Sequence, residues 1–187
     1  MRFEDFFTHY GDPLRDMKTS STSTSKESPL NTESAGRLDR KEFYKEMVQL
    51  YQRRSTCLRL QVGSIIVSDG RIISGGYNGA PSGMLHCSAD ICGPDKPCTR
   101  TVHAEANAIA FAARKGIATE GCGMWITDSP CNECAKLIIN AGITSIVFLR
   151  PYRDEAPTEL LVRAGVNVKF YAPMGGDWKG IYGSSGQ

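Results

Sequence analysis

Apolar side chains recur at helical spacing from Leu38 onward. Phe43, Met47, Leu50 and Tyr51 share one face, while Lys41, Lys45 and Arg53 lie off it, which predicts an amphipathic helix. The pattern then changes. Val62-Gly63-Ser64-Ile65-Ile66-Val67 and Arg71-Ile72-Ile73-Ser74 are β-branched runs joined at Asp69-Gly70, a strong hairpin signal. Gly75-Gly76-Tyr77-Asn78-Gly79-Ala80-Pro81 is expected to end the second strand in a glycine-rich turn. His103 opens an alanine-rich helix that stops at Gly116. Met124–Thr127 reads as a strand, and Pro130 starts a helix running to Asn140 and closed by Gly142. A strand at Ser145–Leu149, a helix at Glu159–Ala164 and a last strand at Val166–Tyr171 complete the pattern. An initial hairpin followed by alternating strands and helices predicts an α/β fold: a three-layer α/β/α sandwich on a five-stranded mixed sheet.

Outside this body the pattern fades. Residues 1–15 hold an aromatic cluster (Phe3, Phe6, Phe7, Tyr10). Lys18–Lys26 is almost purely Ser, Thr and Lys, too poor in apolar surface to offset its ordering entropy. The expected organisation is an N-terminal arm and linker over 1–36, one domain over 37–175, and a loose Gly-rich tail over 176–187. A chain of 187 residues with 41% apolar and 22% charged residues suits a single globular domain. A net charge of +2 gives no footprint for a nucleic acid polymer. No run is apolar and long enough for a membrane span, and no basic-then-apolar leader is seen. Seven cysteines, with Cys-x-x-Cys spacing and nearby histidines, favour metal ligation in a reducing cytoplasm over a disulfide framework.

Two motifs carry the chemistry. Thr101-Val102-His103-Ala104-Glu105 offers an imidazole and, two residues on, a carboxylate. Ser129-Pro130-Cys131-Asn132-Glu133-Cys134 offers two thiols. His103, Cys131 and Cys134 are three of the four tetrahedral ligands zinc prefers, and a fourth position left to water marks a catalytic site. Both motifs fall at predicted strand-to-helix turns, so helix N-termini present the ligands and favour thiolate charge. H-x-E paired with P-C-x-x-C is the pattern of zinc-dependent nucleobase deaminases, with the glutamate as proton carrier rather than ligand. Glu105 takes that role, and a water acidified by the metal is the expected nucleophile. Glu133 is read instead as a first-turn residue favoured by the helix dipole.

Taken in order, Ser55-Thr56-Cys57-Leu58-Arg59, Val62-Gly63, Gly76-Tyr77-Asn78-Gly79, His103-Ala104-Glu105 and Pro130-Cys131-Asn132-Glu133-Cys134-Ala135-Lys136 resemble the deoxycytidylate (dCMP) deaminase family over about residues 40–172. The resemblance implies a cytidine-deaminase-like fold and conversion of dCMP to dUMP for thymidylate synthesis. It also implies a homohexamer activated by dCTP and inhibited by dTTP, with Mg accompanying the effector. Gly76, Tyr77, Asn78 and Gly79 are the stretch tied to that regulation. Substrate contacts are expected at Arg59 and Arg153 for the 5′-phosphate, at Tyr152 against the base or sugar, at Asn78 for a sugar hydroxyl, and at Ala104 within the motif. Surface charge is the plain alternative for the arginines, and a turn role for Asn78. Two departures stand out: Glu155-Ala156-Pro157-Thr158 follows Tyr152-Arg153-Asp154 where the family has a Gly-containing turn, and Asp128 replaces an expected apolar neighbour of the Pro130 motif. The second leaves a modified cytidylate or dCTP open as substrate.

Cys57, Cys87, Cys92 and Cys98 remain. Three of them lie in a loop over 83–100 with little else to order it. The expectation is a second, structural zinc on these four, with His86 as alternative ligand to Cys92 or Cys98; free buried thiols are the competing reading. Cys122 is expected to pack. The competing functional readings are a tRNA adenosine or free-cytidine deaminase and, from another class, a zinc-stabilised nucleotide-binding regulator without turnover.

Overall fold

The chain divides into two units, Met1–Arg37 and Leu38–Gln187. The computed structural model describes residues 36–89, 92, 98–152 and 154–171, so the account below is of the second unit. The expectations for the N-terminal arm, Arg153 and the C-terminal tail lie outside the described residues.

Helix α1 (Arg40–Gln52) starts where Asp39 accepts a hydrogen bond from the Lys41 amide at 2.9 Å. The hairpin follows as β1 (Gly63–Ser68) and β2 (Arg71–Tyr77), antiparallel. Its turn is Asp69-Gly70, with φ of 48° and 75°, the left-handed pair a two-residue hairpin turn demands. Helix α2 (Ala104–Arg114), β3 (Gly123–Asp128), α3 (Asn132–Asn140), β4 (Ser145–Arg150), α4 (Ala156–Arg163) and β5 (Asn167–Phe170) complete the described elements. The sheet has five strands in the order β2-β1-β3-β4-β5. β1 runs antiparallel to both neighbours; β3, β4 and β5 run parallel.

Two apolar layers sandwich the sheet. On one face Tyr44 and Val48 of α1 pack on Ile65 and Trp125. On the other, Ala108 of α2, Ala135 and Ile138 of α3 and Leu161 of α4 pack on Ile66, Met124, Ile126, Ile146 and Phe148. The expected three-layer α/β/α sandwich is thus observed. No helix among the described residues is long and apolar enough to cross a membrane.

Three local expectations need correction. The buried face of α1 is Tyr44 and Val48, whereas Phe43 and Leu50 are exposed; the ridge that fits the sheet is set by Ile65 and Trp125, not by the count of apolar residues. Gly75 and Gly76 do not form a turn but continue β2 to Tyr77. They are glycines because helices press on the strand from both sides: a Cβ on Gly75 would lie 2.4 Å from the Tyr51 ring, and one on Gly76 2.3 Å from the Ala104 carbonyl oxygen. Finally, the helix expected over Glu159–Ala164 starts earlier: Ala156-Pro157-Thr158 is the first turn of α4, with Pro157 among its first residues.

Candidate active site

Both metal-ligand motifs sit at helix starts. His103 is the N-cap of α2 and Cys131 the N-cap of α3, and neither side chain caps its helix. Their carbonyls accept from the Asn107 and Ala135 amides, both at 2.9 Å, so the backbone is fixed while the side chains remain turned to the site. Cys131 follows β3 as expected of a strand-to-helix turn. His103 does not follow a strand; it is placed by an isolated bridge in which Val102 and Gly79 exchange hydrogen bonds of 2.9 and 3.2 Å.

The Nδ1 atom of His103 lies 3.4 Å from the sulfurs of both Cys131 and Cys134. All three ligand atoms lie within 4.8 Å of one another, the one group of this kind among the described residues. Hydrogen bonds from Cys134 and then His103 bring the Cys131 thiol down to about 3. Cys134 is pushed far up, first by its hydrogen bond to Cys131 and then by burial. The imidazole pKa rises, first through its hydrogen bond to the Cys131 sulfur. Two sulfurs and an imidazole converging on one point fit a soft dication that displaces the thiol protons, and zinc is the borderline-soft ion that takes such a set.

Glu105 lies in the first turn of α2, 4% exposed. Burial raises its carboxyl to about 7, against the pull of its own backbone amide and of His103. It lines a cleft of about 520 Å³ together with His103, Cys131, Ala104, Arg59, Asn78, Asp128 and Tyr152, a size suited to a small ligand. The structure places Arg59, Asn78, Ala104 and Tyr152 on the wall of the cleft that holds His103 and Cys131, while Arg153 falls outside the described residues.

Asn78 is 6% exposed and heavily engaged. Its Oδ1 accepts from the Ser55 hydroxyl at 2.6 Å and the Val62 amide at 2.8 Å, and its Nδ2 donates to the Leu60 carbonyl at 2.7 Å. The side chain therefore shapes the segment 55–62, which carries Arg59. Gly76 and Tyr77 line a different cleft, with Thr56, His86, Asn107 and Phe111.

The remaining thiols are less tightly gathered. Cys87 and Cys98 both meet the Thr101 hydroxyl, at 3.9 and 3.1 Å, and Cys92 interacts with Cys87. Hydrogen bonds from Thr101 and from the Arg100 and Thr101 amides bring the Cys98 thiol down to about 7. Cys57 and Cys98 share the wall of the main cleft, and His86 lies in the other. No three of these ligand atoms converge within 4.8 Å. Cys122 is buried in the core, as expected. A residue the sequence did not single out is Arg150, whose guanidinium forks onto the buried Asp128 carboxylate. Its signal was a charged residue closing an otherwise apolar strand.

The chain is 40% identical over 135 residues to ComE operon protein 2 of Bacillus subtilis, covering 71% of each. It is 36% identical over 150 residues to the human deoxycytidylate deaminase, covering 71% of this chain and 79% of that one. The crystal structure of dCMP deaminase from cyanophage S-TIM5 in complex with dCMP and dUMP matches with a TM-score of 0.66 at 32% identity, over 70% of this chain and 96% of that chain. The cytidine and deoxycytidylate deaminase zinc-binding region matches residues 38–150, and the chain belongs to that deaminase family.

Proposed function

We propose that this protein deaminates dCMP to dUMP and ammonia at the cleft of Glu105, His103, Cys131 and Cys134. The observation that carries the reading is one buried carboxylate, Glu105, on the same cleft wall as a His/Cys/Cys set. The dCMP deaminases among its relatives support the substrate.

His103, Cys131 and Cys134 would hold zinc, which when bound lowers the pKa of a water toward neutrality. The chain's own residues do the rest. Glu105 accepts a proton from the attacking water and passes it to N3 of the cytosine ring. A new C4–O bond forms, Glu105 transfers the second proton to the amine, and the C4–N bond breaks with release of ammonia. Burial serves this shuttle, because an apolar surround lets the carboxyl hold a proton as readily as give it up. Arg59 and Arg153 are assigned to the 5′-phosphate, Tyr152 to the base or sugar, and Asn78 to a sugar hydroxyl. Ala104 joins them from the helix start.

The same reading extends to regulation by resemblance: activation by dCTP and inhibition by dTTP with Mg, through the Gly76–Gly79 stretch, in a cytoplasmic homohexamer supplying dUMP. It includes a structural zinc on Cys57, Cys87, Cys92 and Cys98, for which the shared contact of Cys87 and Cys98 with Thr101 is the support. The catalytic domain is assigned to 37–175, with 1–36 as an arm and 176–187 as a tail.

The test is ammonia release from dCMP, dCTP, CMP and deoxycytidine, with and without dCTP or dTTP. Turnover of dCMP above the others, raised by dCTP, is expected. Turnover of dCTP in place of dCMP overturns the monophosphate reading and keeps the deaminase chemistry.

A further inference from the structure

Asp128 and Arg150 close β3 and β4 and are register partners on those parallel strands. Arg150 Nε donates to Asp128 Oδ1 at 3.0 Å and Nη2 to Oδ2 at 2.8 Å, a two-pronged pair with defined geometry. Oδ2 also accepts from the Thr127 hydroxyl at 2.8 Å, whose oxygen accepts from the Gly63 amide at 3.1 Å. Asp128 is 6% exposed and lines the cleft beside His103, Glu105 and Cys131. A buried carboxylate facing a site for an anionic ligand needs a compensating charge, and the guanidinium supplies it.

The pair stands at the root of two segments that form the cleft. Next to Asp128, the Ser129 amide donates to the Arg150 carbonyl at 2.8 Å, and the Tyr152 amide donates to the Ser129 hydroxyl at 2.7 Å. One segment leads through Pro130 to the ligand Cys131; the other leads to Tyr152 on the wall. The relay through Thr127 reaches the start of β1, adjoining the Val62 amide that Asn78 holds. The ion pair thus sits where the segments leading to Cys131 and to Tyr152 leave β3 and β4.

We propose that Asp128 and Arg150 are positioning residues for the nucleotide: their ion pair sets the Tyr152 segment against the Cys131 segment and neutralises the wall. This rests on the nucleotide deaminase reading above. Neither side chain is assigned a bond to the reacting atoms. The effect falls on ligand fit, not on proton transfer.

The experiment uses the full-length, zinc-loaded protein with Asp128→Asn, Arg150→Gln, the double variant and Arg150→Lys, assayed with dCMP well below the melting temperature. Arg150→Gln should raise KM about tenfold while kcat stays within about twofold, since misplacement of a binding wall costs fit before chemistry. Asp128→Asn should do less, because it strands no buried carboxylate before an anion. The double variant should be no worse than Arg150→Gln, the mark of a coupled pair, and Arg150→Lys should recover part of the loss. Zinc content should match the unmodified protein. Hydrogen exchange without ligand should quicken at the Ser129 and Tyr152 amides and stay unchanged in α2, a readout independent of substrate identity. Unchanged KM in all variants with only a lowered melting temperature would make the pair a fold staple and overturn the proposal. So would a fall in kcat at constant KM, or strictly additive effects. If the unmodified enzyme turns over dCTP and not dCMP, the substrate reading fails, and the same KM comparison on dCTP still decides the role of the pair.

Discussion

Two thiol-bearing regions flank the same cleft, and they are built differently. At the helix end, Cys131, Cys134 and His103 are carried by the first turns of α3 and α2, and their atoms converge within 4.8 Å. In the 83–100 loop, Cys87 and Cys98 meet the Thr101 hydroxyl and Cys92 meets Cys87, and among the described residues no such convergence is formed. The residue types are the same. What differs is whether the sheet and helices hold the donors in place before a metal arrives. A preorganised set binds without an ordering cost, whereas a loop set must gain its order from the metal itself.

The sharpest way to break the contrast is to remove the function of the helix end while keeping its structure. Glu105→Gln retains shape and hydrogen bonding but cannot carry a proton. Its kcat for dCMP should fall by about 10²–10⁴, with zinc content unchanged by metal analysis. A variant that retains full turnover removes Glu105 from the chemistry. Cys134→Ala tests the ligand set. It should lose the helix-end zinc, and with it activity, yet still fold, because the core of Ile138, Met124, Ile146 and Phe148 remains filled. A variant that keeps stoichiometric zinc and turnover would show that this sulfur is not a ligand.

A third variant probes what holds the helix end in place. Gly76→Ala puts a Cβ 2.3 Å from the Ala104 carbonyl oxygen and 2.6 Å from the Ala108 amide nitrogen. Strand β2 and helix α2 would have to part, costing about 1–3 kcal/mol as overpacking does. Because α2 carries both His103 and Glu105, turnover should fall along with the melting temperature. Normal stability and activity in Gly76→Ala would show that the helix end does not depend on this close approach.

That contact also marks what was legible in the sequence. The hairpin turn at Asp69-Gly70 and the helix starts at His103 and Cys131 were readable because their causes are local: turn residues, spacing, and ligand types within a few positions. Gly75 and Gly76 read locally as a turn, because a turn is glycine's ordinary local role. Their actual cause is the approach of Tyr51 and Ala104, separated from them by 24 and 28 positions along the chain. The Asp128–Arg150 pair was half legible. A carboxylate near the Pro130 motif is visible as out of place, but its partner is identified only once β3 and β4 lie in register. The exposed side of α1 is not legible for the same reason: the sheet, not the helix, decides which apolar residues are covered.

The smallest expected effect comes from the loop side. Thr101→Val removes the hydroxyl that meets both Cys87 and Cys98 while keeping its shape. Loss of these contacts should cost about 1 kcal/mol, a drop of a few degrees in melting temperature for a domain of this size. Zinc at the helix end should be retained, because neither His103, Cys131 nor Cys134 is among the partners of that hydroxyl. The loop's own metal reading is decided by repeating the measurement on the unmodified protein with a chelator graded from weak to strong. If the loop holds zinc, a weak chelator removes one equivalent and lowers the melting temperature while turnover persists, and Thr101→Val makes that equivalent easier to remove. If only one equivalent is ever bound and its loss coincides with loss of turnover, the loop thiols are a hydrogen-bonded cluster, and the contrast between the two regions is one of metal against no metal.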